Sequence, residues 1–205
     1  MESMTGNRLD DSVSHNILLR STNWVGDALL TTPAIRAVRK NFPHASVTIL
    51  AKPWVAPVFL KNPYIDDILC YDSKGRHQGI FGMLRLSRTL RQFKFDLAIL
   101  FQNAFEAALI TCLGGVSRRL GYNTDGRGLL LTHPVSIKPH HKRIHETEYY
   151  LEILKGVGLQ TDGTALTLIL TNEERTLADR ILKKTFVDGS KPILGIGPGA
   201  VYGSA

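Results

Sequence analysis

A short segment of the sequence brings together side chains that suit the chemistry of a sugar hydroxyl. Asn23, Trp24, Gly26 and Asp27 lie within five residues, shortly after an apolar run. A carboxylate can accept a proton as a general base, and a glycine lets a ligand approach the backbone. An indole beside an amide is suited to holding a sugar ring. Asp27 is also typical of a residue that caps a helix, and the pattern by itself favours that interpretation.

The elements around this segment predict where it lies. The run at residues 16–20 is short and apolar like a buried strand, and Pro33 suits the first turn of a following helix capped by Thr31 or Thr32. Further strands are predicted at residues 47–50, 68–71, 97–101 and 192–196, and helices at 79–95, 105–113, 146–155 and 173–184, the last capped by Asn172. Strands alternating with helices predict an α/β fold with a Rossmann-like doubly wound parallel sheet. Ligands of such sheets bind at the carboxyl ends of the strands, where Asp27 would lie.

Apolar spacing also predicts the core. Helix 79–95 has one apolar and one basic face: Ile80, Met83, Leu84, Leu90 and Phe93 form the first, and Arg85, Arg88 and Arg91 the second. The helix aromatics Phe81, Phe93 and Phe105 are expected in the core rather than as stacking platforms. Cys70 and Cys112 lie in apolar runs and are expected to be buried thiols, since two cysteines exclude a disulfide framework and favour a reducing compartment.

Positive charge is concentrated in the middle of the chain. The 205 residues carry a net charge of +7, whereas residues 73–145 hold twelve Lys/Arg against three acidic residues, a net charge of +9. This asymmetry indicates an anionic partner, such as nucleic acid, anionic lipid or a phosphorylated or carboxylated small molecule, or else a basic face kept for solubility. The most apolar stretch, residues 97–116, is too interrupted to span a membrane, so we expect a soluble, cytoplasmic protein.

Two other patterns are less specific. His140, His141 and His145 have no cysteine nearby and no carboxylate beyond Glu146, so we expect no metal site. Residues 195–199 contain three glycines, but their spacing is not that of a dinucleotide-binding loop.

A longer stretch resembles a known family. Residues 20–43, beginning Arg-Ser-Thr-Asn-Trp-Val-Gly-Asp, resemble the N-terminal signature of the ADP-heptose:lipopolysaccharide heptosyltransferases of glycosyltransferase family 9. The Asn-Trp-Val-Gly-Asp form is most similar to the type II enzymes. The resemblance continues at Arg-Leu-Gly-Tyr (residues 119–122), at Arg127-Gly128, at residues 145–151 and at residues 197–205.

The resemblance implies the GT-B arrangement, in which two Rossmann-like domains face each other across a cleft. It implies an acceptor-binding N-terminal domain at residues 16–158, after a flexible tail at 1–15. Residues 159–190 are then a linker and helix, and residues 191–205 are the first strand and loop of a truncated sugar-nucleotide-binding domain.

The resemblance also implies an inverting transfer of heptose from ADP-heptose to the heptose of the lipopolysaccharide inner core, with Asp27 as general base and no metal or other cofactor. The implied acceptor-binding residues are Asn23, Trp24, Arg119, Arg127, His141 and Arg143. The implied donor-binding residues are Gly26, Pro198, Gly199, Ala200, Tyr202, Gly203 and Ser204. Basic residues would hold the anionic inner core and bring the protein to the cytoplasmic face of the membrane.

Two other functions stay open. The chain departs from the family pattern because it ends where a Lys and a Trp-Pro pair usually follow, which favours a truncated acceptor-binding fragment without activity of its own. A basic nucleic-acid-binding α/β protein is favoured only by the net charge, because nothing matches a nucleic-acid-binding motif.

Overall fold

The structure is a computed structural model that describes residue 9, residues 15–185 and residues 194–196. The chain divides into two compact units, Met1–Ile169 and Leu170–Ala205. Residues 159–169 belong with the first unit, because Arg36 donates to the Ala165 carbonyl at 2.6 Å and the Thr167 N–H donates to Thr32 Oγ1 at 3.0 Å. Leu9, in the predicted tail, is buried and donates its N–H to the Val157 carbonyl.

The first unit is built on one parallel sheet of six strands. Its strands are β1 (Asn16–Arg20), β2 (Ser46–Ala51), β3 (Asp67–Cys70), β4 (Leu97–Leu100), β5 (Arg118–Tyr122) and β6 (His133–Val135). They lie in the order β3-β2-β1-β4-β5-β6, and every neighbouring pair is parallel. This is the Rossmann strand order, so the predicted fold class is confirmed. The sequence analysis predicted neither β5 nor β6.

Helices cover both faces of the sheet. They are α1 (Val25–Leu30), α2 (Thr32–Asn41), α3 (Gly79–Phe93), α4 (Phe105–Leu113) and α5 (Glu146–Lys155), with short 3₁₀ helices at Ala56–Phe59, Arg127–Leu130 and Pro139–Lys142. Pro33 lies in the first turn of α2 as predicted, but the Thr31 hydroxyl does not cap this helix, because it donates to the Ala28 carbonyl.

Alternation along the strands divides the core into two layers. In β1, Ile17 and Leu19 pack into one buried cluster, whereas Leu18 packs into the other. Strand β4 repeats the pattern, with Ile99 in the first cluster and Leu100 in the second. Successive side chains of a strand point to opposite faces, so a strand that is apolar throughout requires a layer on each side.

Several predicted core residues are exposed. Phe81 and Ile80 are 87% and 71% exposed, and Phe93 and Phe105 are also on the surface, so the prediction that they are buried is wrong. Phe81 lies seven residues before Arg88, which places both on the outer face of α3. Cys70 is exposed and Cys112 is half-buried, so the prediction of two buried thiols is wrong as well.

The second unit contains helix α6 (Asn172–Lys184), which has no buried residues. Its cap is Thr171 and not Asn172: the Thr171 hydroxyl accepts the Glu174 N–H, and the Glu174 carboxylate accepts the Thr171 N–H. Of the strand predicted at 192–196, the described residues 194–196 have no regular secondary structure, and the others lie outside the described residues.

Candidate functional site

The candidate site lies at the carboxyl edge of the sheet, where the strand order reverses between β1 and β4. Asp27 is in the first turn of α1, and Trp24 rather than Asp27 occupies the N-cap position. The capping interpretation of Asp27 is therefore wrong. Within the described residues, no hydrogen bond or ion pair to its half-buried carboxylate is found. Such a carboxylate is available to accept a proton from a ligand.

The loop before α1 is held in place by two side chains. Arg20 Nη2 donates to Asn23 Oδ1 at 3.0 Å, and Trp54 Nε1 donates to the Asn23 carbonyl at 2.9 Å. Asn23 thus has a structural role that sequence reasoning did not predict. Trp24 is 48% exposed next to it, so its indole is accessible to a ligand.

A cleft of about 360 Å³ opens at this edge between the end of β4 and the start of α5. Its lining residues are Asn103, Ile137, His141, Ile144, Glu146, Tyr149 and Tyr150. Burial, reinforced by the negative charge of Asp27, raises the pKa of Tyr150 above its usual value. Helix α1, which carries Asp27, packs against helix α5, which carries Tyr150 in the cleft wall.

Arg127 is a structural residue, which corrects its predicted role in acceptor binding. Its side chain is fully buried, and Nε donates to the Tyr122 carbonyl at 2.8 Å, Nη1 to the Gln102 carbonyl, and Nη2 to Asn103 Oδ1 at 2.9 Å. Burial lowers its pKa to about 10, so it stays charged at neutral pH. Asn103 in turn donates to the Tyr149 hydroxyl at 2.8 Å, so Arg127 orients the cleft wall from behind.

Arg119 also has a structural role, and it lies at the edge of the sheet opposite the candidate site. It is the second residue of β5, near the amino ends of the strands, and its register partner is Ala98, the second residue of β4. Its guanidinium donates to the carbonyls of Val116 and Leu130. This placement, with the carboxyl edge at the far end of the strand, does not support its predicted role in acceptor binding.

The predicted histidine and arginine of the 138–143 segment lie beside the cleft. His141 lines it but is almost fully buried, whereas Arg143 is exposed and lines an adjacent depression with Pro139. His141 Nε2 and His140 Nε2 lie 3.6 and 3.8 Å from Glu152 Oε2, so the carboxylate near these histidines is Glu152 and not Glu146.

The His140, His141 and Glu152 cluster has metal-ligand residue types, but its hydrogen bonds oppose coordination. The Lys138 N–H donates to His141 Nδ1 at 3.0 Å, which places the proton of the neutral ring on Nε2. That N–H faces the Glu152 carboxylate, whose other oxygen accepts from Lys155 Nζ at 2.9 Å. The ring therefore has no lone pair directed at a metal.

A buried polar cluster that sequence reasoning missed lies at the ends of β1, β2 and β3. Lys52 Nζ is 3.5 Å from the centroid of the Tyr71 ring, Arg20 packs on the same ring, and the Tyr71 hydroxyl donates to Glu106. Burial, followed by the charge of Arg20, lowers the pKa of Lys52 to about 8. The only signal in the sequence for Lys52 is its position two residues after the strand predicted at 47–50.

The predicted donor-binding residues fall into two groups. Around Gly26 a Cβ would meet nothing within 4 Å, so the backbone of this turn borders open space. Pro198, Gly199, Ala200, Tyr202, Gly203 and Ser204 lie outside the described residues.

Comparisons with known proteins agree on one family. The sequence profile described as "Glycosyltransferase family 9 (heptosyltransferase)" matches residues 83–205. Lipooligosaccharide heptosyltransferase 2 of Haemophilus influenzae is 25% identical over 197 residues, which are 93% of this chain and 56% of that protein. Lipopolysaccharide heptosyltransferase 2 of Escherichia coli is 23% identical over 192 residues, 92% of this chain and 55% of that protein. The chain thus spans about half the length of these relatives.

Solved structures show the same fold. A family 9 glycosyl transferase from Veillonella parvula superposes with a TM-score of 0.83 at 22% identity, over 95% of this chain and 56% of that one. ADP-heptose lipopolysaccharide heptosyltransferase II of E. coli gives a TM-score of 0.72 at 21% identity, over 92% and 56% of the two chains. Because the family profile covers more than half of the sequence and the fold agrees with it, this chain belongs to glycosyltransferase family 9.

Proposed function

We propose that the protein is a heptosyltransferase of the type II class, which transfers heptose from ADP-heptose to the heptose of the lipopolysaccharide inner core. The observation that carries this proposal is the Asp27 carboxylate, which has no partner within the described residues and lies at the carboxyl edge of the sheet. The names of the relatives support the substrate class. An E. coli heptosyltransferase solved with ADP-2-deoxy-2-fluoro heptose, with a TM-score of 0.60 at 17% identity over 73% of this chain and 50% of that one, supports a sugar-nucleotide donor for the family.

In the proposed reaction an acceptor hydroxyl attacks the anomeric carbon of the donor in one displacement. Asp27 takes the hydroxyl proton, for which its carboxylate must lie about 2.6–3.2 Å from that oxygen. The new bond joins the acceptor oxygen to the anomeric carbon, and the bond to the diphosphate breaks, so ADP leaves with the electron pair. A single displacement inverts the anomeric configuration.

We assign the acceptor to the cleft and the exposed side chains beside it. Trp24 offers an accessible indole, and Arg143 offers an exposed cation for an anionic group of the inner core. We further propose that Gly26 borders the donor and that residues 198–200 and 202–204 contribute to its site. The leaving diphosphate would be stabilised by protein cations and backbone N–H groups without a metal.

The test is substitution of Asp27 in the full-length protein. Asp27→Asn keeps the shape of the side chain but removes the base, so turnover measured as ADP release should fall by about 10²–10⁴-fold, with little change in donor affinity. Glu148→Gln removes an exposed carboxylate of α5 and serves as the matched control, with turnover unchanged. Near-normal turnover of Asp27→Asn would remove the basis of the proposal.

We also propose that the exposed start of α3 touches the cytoplasmic face of the membrane. Ile80 and Phe81 are exposed in its first turn. Arg85, Arg88 and Arg91 are exposed on its basic face, and within the described residues their side chains form no hydrogen bond or ion pair. Apolar side chains flanked by arginines suit the boundary of an anionic bilayer. Within the described part of the chain, no helix has the length and apolar character needed to cross a membrane.

Vesicle sedimentation tests this membrane contact. Binding to vesicles with anionic lipid should exceed binding to zwitterionic vesicles, and Phe81→Ser should weaken it while Leu177→Ser on α6, also exposed, should not. Equal binding of all three proteins would exclude α3 as the contact.

A second candidate is an acceptor-binding fragment without activity, favoured by the length of the chain relative to its relatives. It predicts that these 205 residues bind inner-core acceptor but release no ADP. Isothermal titration with the acceptor and an ADP-release assay on the same sample would distinguish the two candidates.

A further inference from the structure

Two cations and one aromatic ring meet where three neighbouring strands end. Arg20 is the last residue of β1, Lys52 follows β2 and Tyr71 follows β3. These strands are adjacent in the sheet, so the residues after them converge at its carboxyl edge. The Lys52 ammonium lies 3.5 Å from the centre of the Tyr71 ring, and Arg20 Cζ lies 5.4 Å from it.

Both cations are buried without an ion pair. Arg20 is 2% exposed and Lys52 is 5% exposed, yet neither has a carboxylate within ion-pair distance in the described part of the chain. The terminal nitrogens of Arg20 donate hydrogen bonds to backbone carbonyls and to Asn23 Oδ1. Its Nε is buried and has no hydrogen-bond partner among the described residues. The nearby Glu106 accepts from the Tyr71 hydroxyl instead. Buried cations are almost always paired, so an unpaired one indicates a missing anion.

We propose that Lys52 binds an oxyanion, a phosphate or carboxylate group, with Arg20 behind it as a second positive charge that also holds the neighbouring loop. The anion approaches from the carboxyl edge, where Trp54 is exposed and donates to the Asn23 carbonyl. The further step of assigning this anion to the acceptor sugar rests on the proposed function. The binding of a free phosphate or carboxylate ion does not depend on the proposed function.

The alternative is a purely structural role, in which the ammonium stabilises the fold through the face of the Tyr71 ring. The two roles predict opposite effects of Lys52→Met, which keeps the length of the side chain and removes its charge. If Lys52 serves to bind an anion, its buried charge destabilises the protein when no anion is bound. The free energy of unfolding of Lys52→Met should then be at least as large as that of the wild type. If Lys52 has a structural role instead, Lys52→Met should have a smaller free energy of unfolding than the wild type.

The experiment titrates the chain with inorganic phosphate and, separately, with acetate, each at constant ionic strength. Binding is followed by calorimetry and by the shift of Tm. We expect one or both anions to saturate a site on the wild type, and Lys52→Met to bind about tenfold or more weakly. Lys52→Arg should retain part of the affinity because it retains the charge. The stronger of the two anions identifies the group that the site prefers.

Two controls keep the result interpretable. Arg88→Gln removes an exposed positive charge of α3, and it should bind the anions like the wild type. Asp27→Asn should also bind them normally, so a failure of the proposed transferase reaction would not be mistaken for a failure of this site. The proposal is overturned if neither anion saturates a site, if Lys52→Met binds like the wild type, or if Arg88→Gln loses as much affinity as Lys52→Met.

Discussion

The buried guanidinium of Arg127 offers the sharpest test of how the cleft is built. Arg127→Met removes the charge and the three hydrogen bonds to the Tyr122 carbonyl, the Gln102 carbonyl and Asn103 Oδ1. The flexible methionine retains most of the aliphatic stem, so the change addresses the polar end of the side chain. The three oxygens lose this donor, and the Tyr122 carbonyl loses it beside a fully buried side chain.

The expected cost follows from those bonds. A hydrogen bond to a charged group contributes about 1.5–3 kcal/mol, and burying the guanidinium costs several kcal/mol that the variant recovers. We therefore expect the free energy of unfolding to fall by about 3–5 kcal/mol, which is what remains of the three hydrogen bonds after that recovery. That is a large part of the roughly 5–15 kcal/mol of a typical domain.

Urea unfolding at pH 7, followed by circular dichroism and tryptophan fluorescence, measures this loss. Arg143→Met is the matched control, because Arg143 is exposed and its removal should change stability by no more than about 0.5 kcal/mol. The reasoning fails if Arg127→Met loses less than about 1 kcal/mol while its acceptor binding is abolished. That result would return Arg127 to the role of a ligand-binding residue.

Two more predictions concern Gly26 and Lys52. Gly26→Ala places a methyl group in open space within α1, so stability should rise by about 0.5–1 kcal/mol in urea unfolding, while donor affinity falls if the donor occupies that space. An unchanged donor affinity would separate Gly26 from the donor site. Because the pKa of Lys52 is lowered from 10.5 to about 8, the unfolded chain holds more protons between these values, and stability should rise with pH from about 8 to 10. The charged and titratable groups around Lys52 are Arg20, Tyr71, Asp72, His77 and Glu106. Comparing urea midpoints of wild type and Lys52→Met isolates the contribution of Lys52, and parallel curves would contradict it.

The sheet was predictable because its strands carry their own signal. Residues 16–20 and 97–101 are apolar on both faces, which only a sheet covered on both sides explains. Strand β5 gave no such signal, because it begins with two arginines and includes Gly121, and it is a strand only because β4 and β6 pair with it.

The site was predictable only in part. Asp27 could be placed, because its position after the first strand fixes the edge at which it lies. The roles of Arg119 and Arg127 could not be predicted, because the sequence does not show whether an arginine side chain is exposed to solvent or hydrogen-bonded to buried carbonyls. Phe81 was misplaced because it was assigned to the core as an aromatic residue, whereas its spacing from Arg88 places it on the exposed face of α3.

The network around Arg127 also bears on how this domain folds. Its guanidinium joins residues that follow β4 to a residue of β5 and to the 3₁₀ helix at Arg127–Leu130. The bond to Tyr122 is local, whereas the bonds to Gln102 and Asn103 need β4 and β5 to be paired first. Interactions that form late contribute little to the folding transition state. Loss of this side chain should then leave the refolding rate nearly unchanged and accelerate unfolding, so the network sets how long the cleft persists once formed.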